Sequence, residues 1–132
     1  MNKLVLLIPH YDNPKGLLVS LASIGCNENL DVLIVDDGSN NKFDEIEVKK
    51  AFQATGNIFF IYLQQNSGIE IALNKGLEYI IKNKYTYTAR LDCGDICLGD
   101  RFQLQKDFLE EAEKEKKELE ESYQEAKRQT EE

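Results

Sequence analysis

Two short acidic stretches carry the side chains best suited to chemistry. Asp92 and Asp95 flank Cys93 and Gly94. Carboxylate oxygens suit hard cations such as Mg²⁺ or Mn²⁺, which need only one or two protein carboxylates when ligand phosphates and water complete the shell. Gly94 would let a ligand come close to the backbone. The same Asp-Cys-Gly-Asp segment also reads as a polar turn ahead of a helix capped by Asp100. Asp36-Asp37-Gly38-Ser39 is open in a similar way. A carboxylate there can accept hydrogen bonds from a base N–H and a ribose hydroxyl, bind a cation, or close an Asx turn. His10 is the single histidine, and next to Pro9 it reads as a hydrogen-bonded turn residue rather than an acid–base catalyst.

These residues fall at the ends of regularly alternating elements. Leu4 to Ile8 reads as a buried strand ended by Pro9. Asn13-Pro14 reads as the cap and first position of a helix carrying Leu17, Leu18, Leu21, Ala22 and Ile24, with Gly25 to stop it. Asp31 to Val35 is a second apolar strand. A helix over about Phe43 to Ala54 follows, then a third strand from Ile58 to Leu63, whose Phe59, Phe60 and Tyr62 are expected in the core. Ser67 is placed to cap a helix with Ile69, Ala72, Leu73 and Ile80 near one face. Tyr85 to Leu91 is a fourth strand, and a long helix starts near Asp100.

The order βαβαβαβα with uninterrupted apolar strands implies an α/β fold, its mainly parallel sheet covered by helices on both faces. In such sheets a ligand sits beyond the carboxyl ends of the strands. That rule selects four loops: residues 9–13, 36–40, 64–68 and 92–99.

Composition narrows the function further. The 132 residues carry a net charge of −8, against non-specific nucleic-acid binding or docking on anionic lipid. Cys26, Cys93 and Cys97 include no CxxC pair, so the roughly four close N or S ligands of structural zinc are missing. Reduced thiols are expected. The apolar run after Lys3 has five residues before Pro9, below the ~7–15 of a secretion signal. No stretch approaches the ~20 apolar residues of a membrane span. Val-Leu-Ile-Val-Asp-Asp resembles the acidic pair of a phosphoacceptor receiver domain, but in that family the pair follows the first strand and an Asp ends the third. Here the pair follows the second, and the third ends in Leu63-Gln64-Gln65.

Taken together, the four loops resemble the donor-binding half of a family 2 glycosyltransferase of the GT-A fold. Pro9-His10-Tyr11-Asp12-Asn13 is similar to that family's P-x-Y-N opening, and Val35-Asp36-Asp37-Gly38-Ser39 matches its VDDGS segment. Asn66-Ser67-Gly68-Ile69 with Ala72-Leu73-Asn74-Lys75-Gly76-Leu77 resembles N-x-G-I-x-x-A-L-N-x-G-L. Ala89-Arg90-Leu91-Asp92-Cys93-Gly94-Asp95, with Asp100-Arg101, resembles A-R-x-D-A-D-D followed by D-R.

The resemblance covers residues 3 to about 109 and implies a Rossmann-like GT-A half-domain. It implies that Pro9 and Tyr11 line the nucleotide base and that Asp36 and Asp37 include the carboxylate contacting base or ribose. Asn66, Gly68 and Asn74 would shape the nucleotide wall. Asp92 and Asp95 would hold Mg²⁺ or Mn²⁺, with Asp92 also at the nucleotide. The reaction implied is inverting transfer from a nucleotide-diphosphate sugar to a saccharide acceptor in polysaccharide biosynthesis. The compartment implied is the cytoplasm, at the inner membrane face for a complete enzyme. Gly94 departs from the family's D-x-D, a variation associated with bacterial surface polysaccharides.

Residues 110–132 hold ten Glu and five Lys or Arg and form a charged helical tail, set apart from a domain over 1–109. Its apolar positions Ala112, Leu119, Tyr123 and Ala126 make a thin seam. No strand pattern follows Leu109. The expectation is therefore a partial catalytic domain whose catalytic base lies outside this chain, with Tyr85 and Tyr87 left uncovered and self-association through a sheet edge or the tail. The competing expectation is a non-catalytic nucleotide-binding or assembly module with a helical interaction tail.

Overall fold

The computed structural model describes residues 2–131. The elements run β1 (Leu4–His10), α1 (Pro14–Ala22), β2 (Asp31–Asp36), α2 (Glu45–Ala51), β3 (Ile58–Tyr62), α3 (Ile69–Lys82), β4 (Tyr87–Arg90) and α4 (Arg101–Glu131). The four strands form one sheet in the order β3-β2-β1-β4, with every pairing parallel. A first compact unit ends at Phe102 and a second begins at Gln103.

β1 and β2 occupy the sheet's centre and are buried along their whole length, as their unbroken apolar runs require. Alternate residues serve opposite faces. Leu4, Leu6 and Ile8, with Val32 and Ile34, pack against Leu17 and Leu21 of α1 and Val48 of α2. Val5, Leu7, Leu33 and Val35 pack against Ala72 and Ile80 of α3. Gly76 lets α3 sit down on the sheet, since a Cβ there would lie 2.4 Å from Leu7 Cδ1.

Several expectations are corrected. β1 runs past Pro9 to His10. Pro9 faces the β4 side after that strand has ended, where the missing N–H costs no ladder bond. α1 ends at Ala22 with Ser23 as its C-cap, ahead of Gly25. α2 is shorter than the sequence suggests, running from the Asp44 cap to Ala51. Tyr62 is 51% exposed rather than core, because β3 is an edge strand. Its hydroxyl donates to Glu45. Tyr87 is buried and Tyr85 partly so, and neither forms an uncovered patch. The Tyr85 hydroxyl donates to Asp31 at 2.6 Å, and Asp31 also accepts from Asn2 and the Asn57 N–H.

The start of α4 is held by a residue distant in sequence. Glu28, buried in the α1–β2 connection, accepts the Phe102 N–H at 2.7 Å. In the second unit Arg128 pairs with Glu125 and Gln103 bonds Asp107, while Phe108, Leu119 and Tyr123 are exposed. Among the described residues no helix is long and apolar enough to cross a membrane.

Candidate functional site

At the carboxyl ends of β1 and β2 the loops close around a cavity of about 270 Å³. Pro9 and His10 of β1 line it with Tyr11 just beyond that strand, Asp37 lines it from the loop after β2, and Asn66, Gly68, Ile69 and Ala72 from the β3–α3 side. Five of the sequence-predicted nucleotide residues (Pro9, Tyr11, Asp37, Asn66 and Gly68) are thus brought together. Asn74 is not among them and is exposed on α3.

One buried carboxylate, that of Asp37, ties the cavity's loops together. Asp37 Oδ1 accepts the Ser67 N–H at 2.8 Å, and Oδ2 accepts the Gly68 N–H at 3.0 Å and Asn66 Nδ2 at 2.9 Å. Ser67 therefore does not cap α3 with its hydroxyl, which turns to the Gln65 carbonyl. Gly38 allows the close approach of the two loops: it has φ +66, and a Cβ would lie 2.3 Å from Gln65 C. Asp12, with φ 49, accepts both the Asn40 and Asn41 N–H groups and fastens the β1 loop to the β2 loop.

Asp36 has a different task from its neighbour. His10 Nδ1 and the Ser39 hydroxyl both donate to its Oδ1 at 2.7 Å, and the Ser39 N–H donates to Oδ2. Burial would raise the Asp36 pKa, but these hydrogen bonds outweigh it and hold the carboxyl below its ordinary range. His10 Nε2 accepts the Asn13 N–H at 3.2 Å, which leaves Nδ1 as the donor to Asp36. Both ring nitrogens are occupied, so His10 is a bracket between loops. Asp36 instead borders a second cavity of about 300 Å³ with Ser39, Lys42 and Tyr62. Of the two aspartates, Asp37 faces the first cavity and keeps a spare acceptor site on Oδ1.

Asp92 and Asp95 lie on the β4–α4 loop, outside that cavity lining. The Asp95 N–H donates to the Asp92 carbonyl at 3.0 Å, closing a turn with Gly94 at φ +97. Both acidic residues are exposed, and Arg90 Nε donates to Asp92 Oδ1 at 3.0 Å. At that exposure the pair adds little stability. Between them, the Cys93 thiol donates to the Pro9 carbonyl at 3.4 Å. Burial, then the charges of Asp92 and Asp95, push its pKa up to about 12, so it stays a thiol. Among the described residues no three His, Cys, Asp or Glu groups converge into a metal cage. Two exposed carboxylates, with open space where a Gly94 Cβ would be, still match the sparse protein donor set that a diphosphate-bound Mg²⁺ or Mn²⁺ requires.

Residues that the sequence did not single out hold this turn. Ser20, fully buried on α1, donates to the Asp95 carbonyl at 2.8 Å and accepts the Gly94 N–H at 2.9 Å. Ser23 accepts the Cys97 N–H at 2.9 Å. Nothing in local sequence could have found them beyond a polar residue on the buried face of an apolar helix.

Comparison with known proteins gives a family match over most of the chain. The family described as Glycosyl transferase family 2 matches residues 5–127. The bifunctional glycosyltransferase pgtA of Dictyostelium discoideum is 31% identical over 103 residues, covering 76% of this chain and 13% of that protein. An uncharacterized glycosyltransferase of Rickettsia conorii is 29% identical over 111 residues, 83% of this chain and 17% of that protein. An uncharacterized protein of Methanocaldococcus jannaschii is 29% identical over 90 residues, 67% of this chain and 39% of that protein. The matches thus span well under half the length of each relative.

Proposed function

Because the chain belongs to glycosyl transferase family 2, we propose that it forms the donor-binding part of an inverting glycosyltransferase. The donor is a UDP-, dTDP- or GDP-sugar and the acceptor a saccharide, in cytoplasmic polysaccharide biosynthesis. Residues 1–109 make the nucleotide-sugar domain and 110–132 the charged tail. Self-association by a sheet edge or the tail belongs to the same reading.

One observation carries it. Pro9 lines the cavity and, through its carbonyl, holds the Cys93 thiol of the acidic turn. A ligand with an apolar planar head and a charged diphosphate can use both places at once, the base against Pro9, Tyr11 and Ile69, and the phosphates toward Asp92 and Asp95. Asp37 accepts from a base N–H or ribose hydroxyl with the spare capacity of Oδ1. Asn66 and Gly68 hold Asp37 in position. Mg²⁺ or Mn²⁺, when bound, supplies Lewis-acid stabilisation of the charge developing on the departing diphosphate. The base that deprotonates the acceptor is assigned to no residue of this chain.

Calorimetric titration of UDP, GDP and dTDP, with and without Mn²⁺, tests the reading. It requires Mn²⁺-dependent binding of one nucleotide that Asp95→Ala loses. Absence of binding by all three would refute it.

A further inference from the structure

We infer that Ser20 is a positioning residue for metal and diphosphate binding, acting through the backbone of the Asp92–Asp95 turn. The inference rests on the donor-site reading above. The carboxylates of Asp92 and Asp95 are exposed, so their aim is set by the backbone that carries them. Arg90 steadies Asp92 only through a half-exposed pair. The backbone, in contrast, is clamped from beneath. Ser20 Oγ meets the turn at three points: the Asp95 carbonyl at 2.8 Å, the Gly94 N–H at 2.9 Å and the Asp92 carbonyl at 3.3 Å.

This is unusual work for a helical serine. Such hydroxyls commonly bond a carbonyl one turn back on their own helix, as Ser23 does to Ser20. Ser20 instead spends its hydroxyl on residues 72 to 75 positions away. With Ser20 fully buried, no water replaces the lost bonds without cost. An alanine there would leave the Gly94 N–H only the Gly16 carbonyl at 3.1 Å and would free the Asp95 carbonyl. Partners of this outer-shell kind typically govern metal affinity by about 10–100-fold.

The test measures free Mn²⁺ by electron paramagnetic resonance, in the presence of whichever of UDP, GDP and dTDP the unaltered chain binds. Nucleotide affinity without metal is measured alongside. Ser20→Ala should weaken Mn²⁺ binding about 10–100-fold while metal-free nucleotide affinity stays within about twofold, since the cavity is lined by other loops. Ser20→Cys, close in volume but a weak donor, is measured in the same way and decides the matter if the alanine variant does not fold. Unchanged Mn²⁺ affinity overturns the inference. So does a parallel loss of Mn²⁺ and metal-free nucleotide binding, which would mark Ser20 as merely structural. Failure of the unaltered chain to bind any nucleotide with Mn²⁺ would instead overturn the donor-site reading, and the inference with it.

Discussion

Gly68 and Asp37 are joined across the carboxyl edge of the sheet, the Gly68 N–H donating to Asp37 Oδ2 at 3.0 Å. Gly68 has φ +99, a backbone region other residues enter at a cost, and it directly precedes α3. The bond sets where α3 begins, and with it where Ile69 and Ala72 form the cavity wall. Asp37→Asn would put an amide NH₂ against N–H donors. We expect a loss of about 1–3 kcal/mol in denaturant unfolding and a nucleotide affinity weaker by on the order of tenfold. Unchanged stability and affinity would show that the Asp37 bonds do not shape the cavity.

Acid should destabilise the fold through two buried aspartates. Burial would raise the pKa of Asp31, but bonds from Tyr85, Asn57 and Asn2 outweigh it, and His10 and Ser39 do the same for Asp36. Both folded pKa values lie below the unfolded value of about 3.9. The unfolded chain then binds more protons, so this stability is fully present above that value and is lost as pH falls through the folded ones. Thermal midpoints followed from neutral pH down to about pH 3 should fall less steeply in Asp31→Asn than in the unaltered chain. Parallel curves would contradict the assignment.

Gly76 is the contact point of α3 on the sheet. In Gly76→Val the added carbon would meet Leu7 Cδ1 at 2.4 Å and Val35 Cγ2 at 3.3 Å. Overpacking of this kind costs about 1–3 kcal/mol. The urea midpoint should drop with the slope of the transition unchanged.

Glu28 joins the α1–β2 connection to the start of α4. Glu28→Ala removes the acceptor of the buried Phe102 N–H. We expect about 1–3 kcal/mol of destabilisation, larger than that of Glu28→Gln, which keeps an oxygen acceptor. Equal stability of all three chains by chemical unfolding would assign the helix start to other contacts.

The sequence carried the elements well where one local signal decided them. Leu4 to Ile8 and Val32 to Val35 have no polar interruption and became the two central strands. Asn13-Pro14 capped α1 as their types require. What escaped depends on strand order and on long-range partners. Tyr62 looks like core by composition, but only the order β3-β2-β1-β4 places it at an edge. Asp36 and Asp37 are identical and adjacent, yet Asp36 ends β2 in a His10 bracket, while Asp37, one residue beyond the strand, is held at the cavity by donors from residues 66–68. Asn74 shares a motif with Gly76 yet lies on the exposed side of α3, away from the cavity. Ser20 and Glu28 act on backbone 74 residues distant, which no spacing rule reaches.

The central claim is that one nucleotide bridges the Pro9–Tyr11 cavity and the Asp92–Asp95 turn. Amide NMR of the ¹⁵N-labelled chain tests it most directly, with the bound nucleotide titrated first by Mg²⁺ and then by trace Mn²⁺. The account predicts nucleotide-induced shifts at Tyr11, Asp37 and Gly68, followed by paramagnetic broadening centred on Asp92, Gly94 and Asp95. Nucleotide shifts elsewhere on the surface, or broadening centred on the acidic α4 residues, would contradict it.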